Sequence, residues 1–345
     1  LWPGLIISCR FGIKPSFGTG EAAQLTRRLC EGWMPIPETI LDNGGIRYHQ
    51  LTYVAPADRD GSGGGAPYLN RRPLGVAEYV LENPGRQDAE ATLALTFYAD
   101  RSRNKSELAD LKLLPDGMFV AYRGSQLLAC LDTATVPTLT VSCQAGTVTL
   151  AGKVSPASKV RCCVYYPTWE TNDEEDKTVA GLDGGELLEQ TRVYWRNLLK
   201  PAMQVDIPDA SLKNIMDASQ AYCLLAARNE EDGARLAPWI ALFGYGPLES
   251  EAQAIIRGME YLGHADFARR SLDFYMQRYK PEGYMTHGYT LIGTGQHLWT
   301  LADYFNLTHD TAWMTHHAPE VKKACQWIVR QRAKTKRIDA HGNRV

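Results

Sequence analysis

Hydrophobic and polar positions alternate with period two in the first half of the chain and recur with period 3.6 in the second. In Ala91-Thr92-Leu93-Ala94-Leu95-Thr96-Phe97 the side chains of Leu93, Leu95 and Phe97 fall on one face, the pattern of a half-buried strand. The runs Ile46–Val54, Val76–Leu81, Met118–Tyr122, Leu139–Cys143, Val148–Ala151 and Val160–Tyr166 read the same way. Turn residues separate them: Pro115-Asp116-Gly117, Arg123-Gly124-Ser125 and Ala145-Gly146. Short strands at this spacing, with no helical period between them, predict an antiparallel β-sandwich over residues 1–167. The cluster Gly61-Ser62-Gly63-Gly64-Gly65 has no Gly-Lys-Ser/Thr at a strand-to-helix junction, so it reads as a surface loop and not a phosphate loop.

Residues 168–207 form a transition. Thr171-Asn172-Asp173-Glu174-Glu175-Asp176 lacks the ligand spacing of an EF-hand and reads as a solvated acidic linker. Glu186–Leu199 reads as a bridging helix anchored by Leu187, Leu188, Val193 and Trp195. From Pro208 to Val345 the helical period takes over. Leu212, Ile215, Met216, Ser219, Tyr222, Cys223 and Ala226 mark one face of a first helix. A second runs from Glu249 to Leu262, with Ala252, Ile255, Ile256 and Met259 inward and Gly263 as its stop. Phe267–Tyr279 and Gln296–Phe305 are the third and fourth. Pro319 opens a fifth with the stripe Val321, Ala324, Cys325 and Ile328, which leaves His316-His317 in a solvated turn. Antiparallel hairpins are the expected packing. The fold class is therefore α+β and multidomain.

Composition narrows the functions. Hydrophobic residues make up 44% of the 345 and charged residues 22%, as in globular proteins. Lys and Arg number 37 against 39 Asp and Glu, a net charge of −2 that gives no electrostatic reason for nucleic-acid binding. No uncharged apolar run approaches the ~20 residues that cross a bilayer. The start, Leu1-Trp2-Pro3-Gly4-Leu5-Ile6-Ile7, has neither a basic region nor an Ala-x-Ala site and makes a poor signal peptide. A soluble protein without a membrane or polyanionic partner is expected. None of the eight cysteines forms a Cys-x-x-Cys pair, so they read as small buried hydrophobes, with neither metal nor cofactor implied. Asn104-Lys105-Ser106 and Asn306-Leu307-Thr308 match a glycosylation acceptor pattern too common to assign a compartment.

Several segments, taken in order, carry a family resemblance. They are Val193-Tyr194-Trp195-Arg196-Asn197-Leu198-Leu199, Ile207-Pro208-Asp209, and Gly244-Tyr245-Gly246-Pro247-Leu248-Glu249-Ser250-Glu251. Tyr261-Leu262-Gly263-His264-Ala265-Asp266-Phe267-Ala268-Arg269, Thr294-Gly295-Gln296-His297-Leu298-Trp299-Thr300-Leu301 and Thr308-His309-Asp310-Thr311-Ala312-Trp313 complete the set. Over roughly residues 30–333 the chain resembles the six-hairpin (α/α)-barrel glycosidases with an N-terminal β-supersandwich. These are the glucoamylase-like and rhamnosidase-like hydrolases and the related glycoside phosphorylases. The resemblance implies a sandwich followed by an incomplete (α/α)6 barrel. Twelve helices of roughly 12 residues with connections of roughly 5 need about 200 residues, more than Pro208–Val345 supplies. A longer protein or a second polypeptide is then expected to complete the barrel. The inner apolar faces, including Ile255, Met259, Leu298 and Leu301, are expected to lie uncovered when this chain stands alone.

Polar groups gather where loops feed the inner helices. Trp239, Phe243, Tyr245, Glu249 and Glu251 precede or open the second helix, and Tyr284, His287, Gln296 and His297 precede or open the fourth. Aromatic faces stack on sugar rings, and carboxylates and amides bind hydroxyls, so a carbohydrate ligand fits this set. First-turn glutamates also serve simply as helix-dipole partners. The stretch Leu248-Glu249-Ser250-Glu251 stands where many relatives carry Arg-Asp. The resemblance also places the catalytic carboxylate pair on later hairpins, beyond Val345. For hydrolysis, Glu249 and Glu251 are then the catalytic candidates the chain itself offers. A glycoside hydrolase using two-carboxylate chemistry is the leading expectation. The alternatives are a polysaccharide lyase, with Tyr284 and His287 as acid and base, and a non-catalytic glycan-binding scaffold.

Overall fold

A computed structural model describes residues 12–20, 24–57, 73–102, 105–114, 117–133, 135–240, 246–285 and 292–343. The chain divides into two compact units, Leu1–Arg196 and Asn197–Val345. The N-terminal unit is antiparallel β. Its smaller sheet joins β1 (Gly12–Phe17), β6 (Ala89–Ser102), β12 (Thr147–Val154) and β11 (Thr140–Gln144), with β7 (Lys105–Leu108) also on β6. Its larger sheet runs in the order β2 (Gln24–Cys30), β3 (Met34–Asn43), β4 (Ile46–Pro56), β5 (Pro73–Glu82), β13 (Lys159–Pro167), β10 (Gln126–Asp132), β9 (Met118–Arg123) and β8 (Asp110–Leu113).

The two-residue period sets the core. Leu93, Leu95 and Phe97 of β6, with Val148 and Leu150 of β12, are fully buried against Tyr48, Tyr79 and Leu81 of the larger sheet. The outer face of the larger sheet carries charge instead. Arg28, Glu38, His49, Glu82 and Lys159 form a ladder across β2, β3, β4, β5 and β13, with Arg28–Glu38 and Lys159–Glu82 ion pairs joined by hydrogen bonds from the His49 ring to both glutamates. β10 reads Leu127-Leu128-Ala129-Cys130-Leu131, buried throughout. Such a continuous apolar run carries no alternation to announce it, whereas β2 and β3 are masked by arginines and prolines.

The acidic segment is not a solvated linker. Residues Asp173–Ala180 form helix α1, opened by a capping box in which Asn172 accepts from Glu174 and Glu175 N–H and Glu175 accepts from Asn172 N–H. The same acids that suggest a linker sit in the first helical turn, where the helix dipole favours them. Helix α2 (Gly184–Leu199) follows, and the division between units falls within it. Leu187, Leu188 and Trp195 are buried as anchors, but Val193 is exposed.

The C-terminal unit begins with α3 (Ala210–Ala226), capped by Asp209, and the short hairpin β14 (Arg228–Glu230) and β15 (Arg235–Ala237). Then come α4 (Glu249–Tyr261), α5 (Ala265–Met276), α6 (Gly293–Thr308) and α7 (Thr311–Thr335). Gly263 turns the chain after α4 at φ +88°, a conformation that favours glycine. Helices α4 and α6 lie side by side and run the same way, since Glu249 meets Gly293 at their starts and Arg257 pairs with Asp303 at 2.6 Å further along. Ile256, Leu272, Phe274, Tyr275, Leu301, Tyr304 and Trp313 form the core between α4, α5, α6 and α7. No helix among the described residues is long and apolar enough to cross a membrane.

Three expectations for this unit are corrected. Pro319 does not open the last helix but lies inside α7, which starts at Thr311 because Asp310 accepts from Trp313 N–H as its cap. His316 and His317 are consequently helical, and His317 is bonded and not solvated. Met259 and Leu301, expected on an uncovered face, are buried in the unit's own cores. The exposed apolar stripe is on α3 instead: Leu212, Ile215, Tyr222 and Leu225 are each at least half exposed, while its buried face is Ala218, Gln220 and Ala221. Among the cysteines Cys30, Cys130, Cys162 and Cys163 are buried, whereas Cys143 and Cys325 are exposed.

Candidate functional site

The first residue of α4 places the central carboxyl. Leu248 is extended and offers no side-chain cap, so the helix begins directly with Glu249. A first-turn glutamate that serves only the dipole points to water, but Glu249 is 3% exposed. Its side chain lies over Gly293, the first residue of α6, and has the space that any larger residue at 293 would fill. Glu251, two residues on, is half-buried.

Helix α5 supplies the next wall. Tyr275 is buried, and its hydroxyl has no hydrogen-bond partner among the described residues. Burial raises the Tyr275 pKa far above the phenolic range; the charges of Glu249 and Glu251 add to this, and Arg278 opposes it. The His297 ring, one turn into α6, stands 5.8 Å from the Tyr275 ring and 5.4 Å from that of Tyr279. His297 Nδ1 is 2.8 Å from the Tyr279 hydroxyl, and His297 Nε2 is buried without a hydrogen-bond partner among the described residues. Burial, with a smaller contribution from the charge of His317, depresses the His297 pKa to about 3. This ring is neutral at any ordinary pH.

Tyr275 thus neighbours both Glu249 and His297. The other candidates are spread more widely. Gln296 is half-buried, with its Oε1 buried and without a partner among the described residues. Trp239 is buried, with the Arg228 guanidinium 5.3 Å from its ring centroid. Tyr284 is stacked on Trp327 of α7, with ring centroids 5.1 Å apart. Phe243, Tyr245 and His287 lie outside the described residues.

The sequence reading passed over three participants. Tyr275 looks like one more apolar residue of an α5 stripe, and Tyr279 like the end of that helix, although α5 ends at Met276. Gly293 precedes any recognisable period. The outer layer was also missed: Asp273 Oδ1 accepts from Trp313 Nε1 at 2.8 Å and pairs with His317 Nε2 at 3.1 Å. A separate cavity of about 630 Å³ lies in the N-terminal unit, lined among others by Asp132, Lys153, Arg161, Tyr165 and Asp183. None of the predicted site residues lines it.

No protein-family model matches the chain, and no curated protein does. Among solved structures it is similar to a protein described as a kojibiose phosphorylase from the human microbiome, at 9% identity and a TM-score of 0.41 over 81% of this chain and 42% of that one. It is also similar to a family GH92 glycosyl hydrolase, at 12% identity and a TM-score of 0.30 over 97% of this chain and 56% of that one. A family GH92 inverting mannosidase from Bacteroides thetaiotaomicron gives 9% identity and a TM-score of 0.31 over 97% and 57%. The chain spans about half the length of these structures. At such identities and scores none of them carries an argument about this chain's chemistry.

Proposed function

We propose that this chain is part of a carbohydrate-active enzyme that breaks glycosidic bonds, a hydrolase or a phosphorylase, with Glu249 as a carboxyl of the site. The observation that carries this reading is the placement of Glu249. It is buried at the start of α4, against the start of α6, and its charge acts on Tyr275, whose hydroxyl has no hydrogen-bond partner among the described residues and whose ring stands 5.8 Å from that of His297. A carboxyl among aromatic rings and uncharged hydrogen-bonding groups is the composition with which proteins hold polyhydroxyl ligands.

Glu251, Trp239, Tyr245, Tyr284, His287 and Gln296 are proposed as further lining, and the ligand as an oligo- or polysaccharide. Glycosidic cleavage uses one carboxyl to protonate the leaving oxygen and a second carboxylate to activate water or to attack the anomeric carbon. Glu249 would supply one of these. The second is proposed to come from outside this chain, in a following segment or a second polypeptide.

The test is saturable binding of neutral oligosaccharides by titration calorimetry, followed by assay for new reducing ends or, with phosphate present, sugar phosphate. Glu249→Gln is expected to abolish binding or turnover while circular dichroism stays unchanged. Oligosaccharide binding that Glu249→Gln leaves intact, or no binding to any saccharide, sinks the reading.

A further inference from the structure

Strand β13 of the N-terminal unit pairs with β5 along its whole length, from Lys159 opposite Glu82 to Pro167 opposite Leu74. On its other flank it meets β10 only at Val164 and Tyr165, opposite Leu131 and Cys130. β10 ends at Asp132, one register position further on, so among the described residues no strand pairs with Lys159–Cys162 on that flank. The cavity of about 630 Å³ lies against this stretch: Lys159, Val160, Arg161, Cys162 and Cys163 all line it. Side chains of a strand alternate between its faces, so consecutive residues share one space only where that space runs along the strand's edge. Alternate residues of an antiparallel strand aim their N–H and C=O groups at each neighbour, so about half of the peptide groups in this stretch face the cavity.

We propose that this open flank receives an extended segment of a second polypeptide as an added strand, and that the segment carries carboxylates on the face of Lys159 and Arg161. Four residues of open edge span about 13 Å, and a main chain is the ligand whose donors and acceptors repeat at that spacing. The two faces of β13 set the side-chain pattern. Val160 and Cys162 pack in the sandwich core, whereas Lys159 and Arg161 pair with Glu82 and Glu78 of β5 at 3.2 and 2.8 Å. Both cations remain open on their other side, with side chains 59% and 39% exposed. Charge alternates from strand to strand on this face, Arg28 with Glu38 and Glu82 with Lys159, and an acidic residue on the next strand continues it. Lys153 lines the same cavity, so three cations face two acids, Asp132 and Asp183. Asp183 is engaged at the start of α2, where it accepts from Gly185 and Glu186 N–H. Asp132 stands at the far end of the flank, in register with Cys163. A lysine on an open edge repels indiscriminate strand pairing; an incoming carboxylate turns that barrier into selection.

The probe is acetyl-Val-Glu-Val-Glu-Val-Gly-amide, with acetyl-Val-Lys-Val-Lys-Val-Gly-amide as its counterpart, each titrated into the full chain. Amide hydrogen exchange read by mass spectrometry should show residues 159–163 exchanging faster than 164–167 in the free chain and slowing when the acidic peptide is added. The acidic peptide should bind more tightly than the basic one, and Lys159→Glu should lower that preference by about two- to fivefold. Two N-methylated versions of the acidic peptide, each blocking one alternate set of amides, separate an added strand from a charged coat. A strand bonds through one edge, so one version should lose more than about tenfold in affinity and the other should keep it. The N-methyl comparison needs no variant, so misfolding of Lys159→Glu does not rescue the proposal. Protection of 159–163 already in the free chain, equal binding of the two peptides, an equal effect of the two N-methyl patterns, slowing at a different strand, or no binding each overturns it. All of these outcomes leave the carbohydrate reading, which concerns the other unit, as it stands.

Discussion

The side chain of Glu249 occupies the place where Gly293 would carry a Cβ. A Cβ built on Gly293 would crowd Glu249 Cγ and Cδ and stand 2.7 Å from Oε1, so the start of α6 approaches the start of α4 this closely only because residue 293 has no side chain. Two residues on, Gly295 has open space around its own missing Cβ, which provides an internal control. Gly293→Ala should displace Glu249 and reproduce the binding defect of Glu249→Gln. Gly295→Ala should leave binding intact and raise stability by about 0.5–1 kcal/mol through helix propensity alone. Equal behaviour of the two variants in calorimetry and thermal unfolding would dissolve the relationship.

Asp273 ties α5 to α7 through one oxygen, which receives the Trp313 indole N–H and faces His317 Nε2. Trp313 is buried in the helical core, so losing that acceptor strands its N–H away from water. Asp273→Ala is expected to destabilise the C-terminal unit by about 1.5–3 kcal/mol, the range for hydrogen bonds to a charged group. Trp313→Phe in the Asp273→Ala background should add less than it does alone, because the indole donor is already orphaned. Additive losses in denaturant unfolding would show that the two residues act independently.

The architecture was legible where pattern and burial coincide. Leu93, Leu95 and Phe97 alternate in the sequence and are buried in the sheet. Gly263 punctuates the sequence and turns the chain at positive φ. The proposed site was legible only in part, for a physical reason. Glu249 and His297 stand out as polar residues near helix starts, but Tyr275 and Tyr279 are polar only at one atom and read as core. Gly293 matters through an absence of atoms. The α7 start was missed because Pro319 outweighed Asp310, although a cap nine residues earlier permits the helix to form first. The α3 stripe was read correctly as apolar; its exposure depends on neighbours that local periodicity does not encode.

That stripe is itself testable. Leu212, Ile215, Tyr222 and Leu225 make an apolar strip along α3 that is open to solvent. Replacing exposed apolar side chains removes association without removing core contacts. Leu212→Gln combined with Ile215→Gln should change unfolding free energy by no more than about 0.5 kcal/mol per site and lower self-association in sedimentation velocity. A loss of several kcal/mol would mean that the stripe is covered within the chain.

Glu260 makes the sharpest pH prediction. It lies on the buried side of α4, and neither carboxyl oxygen has a hydrogen-bond partner among the described residues. Burial raises its pKa to about 8; the charge of Asp303 adds to this, and Arg257 pulls the other way. In the unfolded chain the same carboxyl titrates near 4.3, roughly the value for a free glutamate. Between these two values the folded protein keeps a proton that the unfolded chain has released, so stability falls as pH rises through that window and levels off above it. Glu260→Gln carries no such proton. Wild type and variant should have similar stability near pH 4.5, and the variant should be the more stable near pH 8, by on the order of 1–3 kcal/mol. Only the difference between the two proteins matters, because other groups titrate in both. The Arg257–Asp303 pair remains in both and does not supply the difference. Parallel stability curves for wild type and Glu260→Gln from pH 4.5 to pH 8, measured by thermal unfolding, would mean that Glu260 finds a partner or water and ionises like an ordinary glutamate.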